Sequence, residues 1–365
     1  MSETRIGTES RSGGPDIFEY AGDGVVVAAV DHRGLEADAQ PVPDSPPLAG
    51  TNGGTMPQPA PLPAPLSQLD GKAAFITGGG SGIGLGLATA CLDAGMRVVL
   101  ADIRRDHLDE AAASLDGGDR VHTIELDVCD REAFARAVDD AQRAVGNVHL
   151  LAANAGIAMS GEITLTGYDD WDWGLGVLLG GVINAIQSFL PHLLSHGEGA
   201  QIVVTASTSG VLPVSRTVIY STAKAALVTL CESIREELGE LNIGVSAFCP
   251  GPVATNISET GRMRPQRYRE ASGLREVEQR LGERPNSPLW MDPFEAGERL
   301  LRGVRANDLY IFTHPEFRDG VAERFEAMLA SFPDEPINTE RARETDFLLH
   351  NAVFAEALAR RRAGG

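Results

Sequence analysis

The sequence predicts an α/β fold, a doubly wound parallel sheet in a single domain over residues 70–315, with an extension at each end. Three observations predict it. From residue 70 onward, short apolar runs alternate with segments of helical periodicity, a pattern that requires parallel pairing through right-handed crossovers. Some of these runs, such as Gln201-Ile-Val-Val-Thr205, are apolar almost throughout, as strands covered on both faces are. A glycine-rich stretch over 77–84 lies between the first run and the first helical segment, where such sheets place a tight loop.

The elements follow in order. Residues 1–69 read as a flexible Pro/Gly-rich extension. The stretch 41–65 is crowded with Pro, Gly, Ala and Ser and lacks the backbone donors and apolar surface that folding needs. Before it, residues 24–30 suit one short strand, which needs a partner surface to be stable. Strands are then expected over 73–77, 97–102, 121–126, 148–153, 201–206 and 244–248. Helices are expected over 82–94, 106–115, 131–145, 168–195 and 218–241. Residues 256–292, rich in Arg, Pro and Gly, break the alternation after the sixth strand. Open α/β sheets bind ligands beyond the carboxyl ends of their strands, so this insertion is placed to cover a substrate. A helix over 294–305 and a strand over 309–313 complete the domain, and 316–365 reads as a helical C-terminal extension.

Composition narrows the partners. The formal net charge of −20 is repelled by nucleic acid and by anionic membrane surfaces. No apolar stretch is expected to reach the roughly 18–20 residues that span a bilayer; the longest, 175–194, is interrupted by Asn184, Gln187, Pro191 and His192. The N-terminus lacks the basic start and apolar run of a secretory signal, so a cytoplasmic location is expected. Cys91, Cys129, Cys231 and Cys249 are widely spaced, with no CxxC pair, which fits buried thiols in a reducing compartment. The histidines show no ligand spacing, and no metal site is expected.

The stretch Thr77-Gly-Gly-Gly-Ser-Gly-Ile-Gly84 has the context of a dinucleotide site: a strand before it, a helix after it, and an acidic residue some twenty positions on. Gly78, Gly82 and Gly84 let a phosphate approach the backbone. Ser81 and Ile83 fill the loop, and the helix N-terminus offers N–H groups to a pyrophosphate. Asp102 closes the second strand, where a carboxylate accepts from ribose hydroxyls and repels a 2′-phosphate. With Ser81 rather than a basic residue before Gly82, NAD is favoured over NADP, although Arg104 and Arg105 follow closely. Asp127-Val128 follows the third strand, where an adenine edge would lie. Asn154-Ala155-Gly156 follows the fourth, with small residues that allow close packing beside the cofactor.

Tyr220 and Lys224 are four residues apart and share one face of a helix. Ser207 ends the strand before them, and Pro250-Gly251-Pro-Val253-Ala-Thr255 follows the next. Alcohol oxidation sends a hydride to nicotinamide while a base takes the hydroxyl proton. A phenol with a pKa near 10 is a poor base at neutral pH, and a nearby ammonium with the positive nicotinamide ring favours phenolate. Ser207 suits a donor to the substrate oxygen.

These residues together resemble the short-chain dehydrogenase/reductase family, over about 70–309. The resemblance implies a Rossmann-type fold, with Tyr220 as acid/base, Lys224 as its pKa modulator and ribose ligand, and Ser207 as oxyanion partner. It implies that Val253 and Thr255 contact the nicotinamide amide. It also implies a homo-oligomer, dimer or tetramer, through the helices at 168–195 and 218–241. The stretches Tyr168-Asp-Asp-Trp-Asp-Trp173, Gly181-Val-Ile-Asn184, Arg262-Met-Arg-Pro265 with Tyr268, and 309–316 are similar to a bacterial subgroup. That subgroup includes Cα-dehydrogenases of lignin-derived aryl ethers and alcohol dehydrogenases of terpenoid metabolism. The expected substrate is a secondary alcohol or ketone, hydrophobic and cyclic or aryl. One position departs from the family: Leu178 stands where an Asn usually holds a water linking the lysine to solvent. A non-catalytic NAD-binding protein is therefore the alternative reading.

Overall fold

The computed structural model describes residues 64–363, together with the short strands Glu19–Tyr20 and Val26–Val27. Those two strands pair antiparallel, Glu19 opposite Val27 and Tyr20 opposite Val26. The strand expected over 24–30 is thus a shorter one, with a partner just upstream. The Pro-rich stretch up to residue 63 lies outside the described residues.

Seven parallel strands form the sheet: β1 (Ala73–Thr77), β2 (Arg97–Asp102), β3 (Val121–Glu125), β4 (Leu150–Ala153), β5 (Ala200–Thr205), β6 (Ile243–Cys249) and β7 (Tyr310–Phe312). Their order across the sheet is β3-β2-β1-β4-β5-β6-β7. The chain reverses direction between β1 and β4, and a crevice opens there beyond the carboxyl ends of the strands. One face is covered by α1 (Gly82–Asp93), α2 (Arg105–Ser114) and α9 (Pro293–Ala306), which contribute Leu87, Cys91, Leu108, Leu300 and Val304 to the core. The other is covered by α3 (Arg131–Val145), α5 (Gly181–His196) and α7 (Val218–Glu240), with Phe134, Val182, Phe189 and Leu227. Each such side chain contributes about 1.5–3 kcal/mol by leaving water. Helices α1 and α9 cross backbone to backbone: a methyl group on Gly86 would strike the Pro293 carbonyl, and one on Gly297 would strike Gly86.

Three expectations are corrected. Leu66 and Leu69, assigned to the extension, are 1% and 4% exposed and belong to the core. Being apolar, they pack against the α1 face, so the domain starts before residue 70. The single helix expected over 168–195 is α4 (Tyr168–Leu175), a π-helical turn (Gly176–Gly180) and α5. Glycine-rich sequence permits the irregular turn, and Gly181 lies so close to Val128 that a Cβ would come within 2.7 Å of Cγ2. Taken together, Tyr168–His196 is long and apolar enough to cross a membrane, contrary to the sequence expectation, because its polar residues are too few to lower the average. Half of its most apolar window is buried inside the protein, with Val182, Phe189 and Leu193 in the core.

After β7 the chain continues as α10 (Arg318–Leu329), α11 (Thr339–Glu344), α12 (Asp346–Leu349) and α13 (Ala352–Ala363). Helix α13 docks through Val353 and Glu356. Glu356 forms a bidentate pair with buried Arg235 of α7, both contacts being 2.9 Å. Arg235 also donates to the Asn307 carbonyl at 2.7 Å and to the Val245 carbonyl.

Candidate active site

A cleft of about 530 Å³ lies at the carboxyl end of the sheet. Of the catalytic and cofactor-binding candidates read from the sequence, all but Gly84 line it. Gly84 lies beneath the loop, where a Cβ would strike the Gly78 carbonyl oxygen and sit 2.9 Å from Asn154 Nδ2. The backbone cannot yield there, so the loop needs glycine at this position.

The glycine loop is tied down from several sides. Gly78 and Gly82 have φ of +63° and +51°, the left-handed region that favours glycine. Ser81 leaves the N-terminus of α1 without a side-chain cap and turns its hydroxyl to Asn256 Oδ1, 3.1 Å away. The first-turn N–H groups are therefore not taken by a side chain, as an anion site needs. Asn154 accepts from Thr205 Oγ1 at 3.0 Å and donates to the Thr77 carbonyl at 3.0 Å, so it fastens the ends of β1, β4 and β5 together beneath the cleft. Asp127 accepts from Cys129 N at 2.9 Å, and the Val128 carbonyl accepts from Asn184.

Asp102 accepts from Gly80 N at 3.2 Å on one oxygen and from Arg104 N at 3.0 Å on the other. These bonds aim the carboxylate and leave lone pairs for hydroxyl donors. Arg104 and Arg105 turn to Asp106 and Asp109 rather than to the cleft. Residues present thus fit a dinucleotide with free ribose hydroxyls.

At the other end of the cleft, α7 carries Tyr220 and Lys224, while Ser207 follows β5. Ser207 Oγ accepts from Ser209 N at 3.1 Å, which fixes its position as the cap of the short helix α6 (Thr208–Val211). Burial pushes the Tyr220 phenol above its usual 10, and a hydrogen bond with Ser207 pulls the other way. Lys224 Nζ lies 5.5 Å from the Tyr220 ring centroid and donates to the Thr205 carbonyl at 2.6 Å. Burial pushes its ammonium down to about 8. In this arrangement burial dominates both groups, so the lowering of the phenol expected from Lys224 is not seen.

Leu178 sits in the π turn, fully buried. Its Cδ2 and Lys224 Nζ flank one spot, 3.5 and 3.8 Å from where a Cβ on Gly156 would stand. An apolar group and the ammonium thus border the same space next to Gly156. Asn184 is committed to the Val128 carbonyl at 2.9 Å and does not replace the missing amide.

The sequence reading gave Tyr168–Trp173 and Arg262–Pro265 with Tyr268 only as points of resemblance, and 256–292 as a cover; it missed that Trp173, Met263, Pro265, Tyr268 and Trp290 line the cleft itself. An aromatic residue in a helix or loop reads as core until the fold turns it inward. It also missed that His149, His196 and Glu198, at the opposite end of the sheet, lie within ligand-forming distance of one another. Their atoms are already engaged. His149 accepts from Ala73 N at 3.3 Å and donates to Glu198 at 2.9 Å, and Lys72 pairs with the same carboxylate oxygen at 3.1 Å.

The fold and the site define a class. Residues 72–265 match the short chain dehydrogenase family, and the chain belongs to it. Among its relatives is a C alpha-dehydrogenase of Sphingobium sp., 37% identical over 282 residues, or 76% of this chain and 92% of that one. A putative short-chain dehydrogenase from Novosphingobium aromaticivorans has a similar structure, with a TM-score of 0.66 at 34% identity, covering 80% of this chain and 98% of the other. A short-chain dehydrogenase/reductase from Burkholderia phymatum, solved with NAD, gives 0.65 at 31%, covering 74% and 99%.

Proposed function

We propose that the protein is an NAD-dependent dehydrogenase of a hydrophobic secondary alcohol, cyclic or aryl, working reversibly on the ketone. The observation that carries this reading is the set Ser207, Tyr220 and Lys224 at one end of a cleft whose other end is a glycine loop and Asp102. Bound NAD would supply the hydride acceptor. Ser207 and Tyr220, which line the same cleft, hold the substrate oxygen between them. Tyr220 takes the hydroxyl proton as the carbonyl forms, and Ser207 stabilises charge on that oxygen. Lys224 would hold the ribose, and Val253 and Thr255 the amide, all three lining the cleft. Trp173, Tyr268 and Trp290 contribute aromatic side chains to the cleft lining, which supports an aryl substrate, as does the name of the Sphingobium relative. The engaged state of Arg104 and Arg105 supports NAD over NADP. Ile183 and Leu194 of α5 are each 41% exposed, which supports a homo-oligomer through that face.

The test is NADH formation with a panel of aryl and cyclic secondary alcohols, repeated with NADP and with Tyr220→Phe. Turnover with NAD, lost in the variant, is expected; a variant with near wild-type activity removes Tyr220 from its role. Leu178 supports one other reading, a protein that binds NAD without turnover. It predicts a cofactor-binding signal and no product from any alcohol or ketone.

A further inference from the structure

Two stretches of the sequence each hold a residue with no part in the chemistry so far: Asp170 in the acidic and tryptophan-rich 168–173, and Arg264 in 262–265 of the insertion. They meet inside the protein. Arg264 is 1% exposed. Its Nη1 lies 2.8 Å from Asp170 Oδ1, its Nε donates to Glu278 Oε2 at 3.2 Å, and its Nη2 pairs with Glu278 Oε1. The guanidinium carbon stands 4.3 Å over the Trp173 ring. Asp170 is fully buried and also accepts from Ser272 Oγ at 2.6 Å and Gly167 N at 2.9 Å. One guanidinium therefore joins α4 to the start of the insertion and to its helix α8 (Arg275–Gly282). Arg264 does not line the cleft. Its chain neighbours Met263 and Pro265 do, and so do Trp173, on which it stacks, and Tyr268, whose carbonyl lies 3.5 Å from Nη1.

We propose that Arg264 is a positioning residue: by its pairs with Asp170 and Glu278 it holds the insertion against α4 and sets the wall that meets the substrate. This rests on the reading above, that the insertion covers the substrate end. The residue type is required. A planar fork reaches two carboxylates and stacks on an indole at the same time, which a lysine ammonium cannot do. One cation faces two carboxyl groups, so losing it strands both. Losing Glu278 leaves the Asp170 pair and the stack in place.

The test uses the full chain with Arg264→Lys and Glu278→Gln. Three quantities are measured: deuterium uptake over 257–282 without ligand, kcat and KM for the best alcohol, and the Kd for NAD. Arg264→Lys is expected to raise uptake in that segment and to raise KM about tenfold, with kcat and NAD affinity within about threefold. Glu278→Gln is expected to stay within about threefold of wild type in KM. Unchanged uptake, or a KM that moves only together with NAD affinity, overturns the proposal. If Arg264→Lys does not fold, Asp170→Asn takes its place, and it must exceed Glu278→Gln in both uptake and KM; equality overturns the proposal. If the wild type turns over no alcohol or ketone, the reading of the site fails, and uptake alone decides. A rise confined to 257–282 supports the role of Arg264 as the tie, and no rise overturns it.

Discussion

Replacing Leu178 by Asn puts the family's usual residue into a fully buried apolar place beside Lys224. Removing the leucine side chain costs about 2 kcal/mol of burial. An amide buried there without a partner costs about 1–3 kcal/mol more. If the new amide oxygen accepts from Lys224 Nζ, the second cost is mostly cancelled. The total is then about 2 kcal/mol, against about 3–5 kcal/mol if it stays unpaired. At roughly 2–4 °C per kcal/mol for a domain this large, Tm falls by about 4–8 °C in the first case and by more in the second. A carbonyl beside the ammonium favours its charged form, so the Lys224 pKa, pushed down to about 8 by burial, moves back up. The expected outcome is the smaller loss of Tm, a kcat raised about tenfold by the restored proton path, and an alkaline limb of the kcat profile moved upward. Calorimetry and kcat against pH measure all three. A loss well beyond 8 °C with kcat unchanged would refute the reasoning, because the amide would then have found no partner and no relay.

Two further outcomes follow from buried charges. Glu356→Gln leaves buried Arg235 without its carboxylate and is expected to lower unfolding free energy by about 3–5 kcal/mol; urea denaturation measures it, and Arg235→Met with Glu356→Leu is expected to lose less than the single change. For pH, burial holds His149 and His192 below the usual 6.5. The unfolded chain therefore takes up protons first, and stability falls as pH drops below about 6.5. Glu198, held down to about 2 chiefly by its hydrogen bond with His149, adds stability above about 4.5 that is lost only as pH falls from there toward 2. Tm is thus expected to decline already between pH 7 and 5, before the carboxylates titrate. A flat Tm over that interval would show that the rings are not held neutral.

The glycine loop, Asp102 and the Tyr220–Lys224 pair were legible because each depends on chain-local geometry: a loop at a strand end, a side chain closing a strand, a four-residue helical spacing. The parallel pairing of the sheet was implied by alternation alone. Other features depend on contacts across the fold and escaped. Trp173 looks like any core tryptophan until Arg264, 91 positions away in sequence, stacks on it. The π turn at Gly176–Gly180 has no periodic signature, because one extra residue in a helical turn barely moves the apolar pattern. Leu66 and Leu69 stand next to a Pro-rich stretch and were averaged into it. The departure at Leu178 was visible, yet its proximity to Lys224 required the fold.

The clasp between Arg235 and Glu356 has a consequence for biosynthesis. The two partners are 121 positions apart, so a growing chain completes α7 well before the carboxylate exists. Domains generally fold from the N-terminal side as they emerge. Until α13 appears, the guanidinium has the Val245 and Asn307 carbonyls to donate to, but no carboxylate. A polypeptide interrupted short of Glu356 therefore carries a marker of incompleteness at that place: a buried cation without the carboxylate that α13 brings to it.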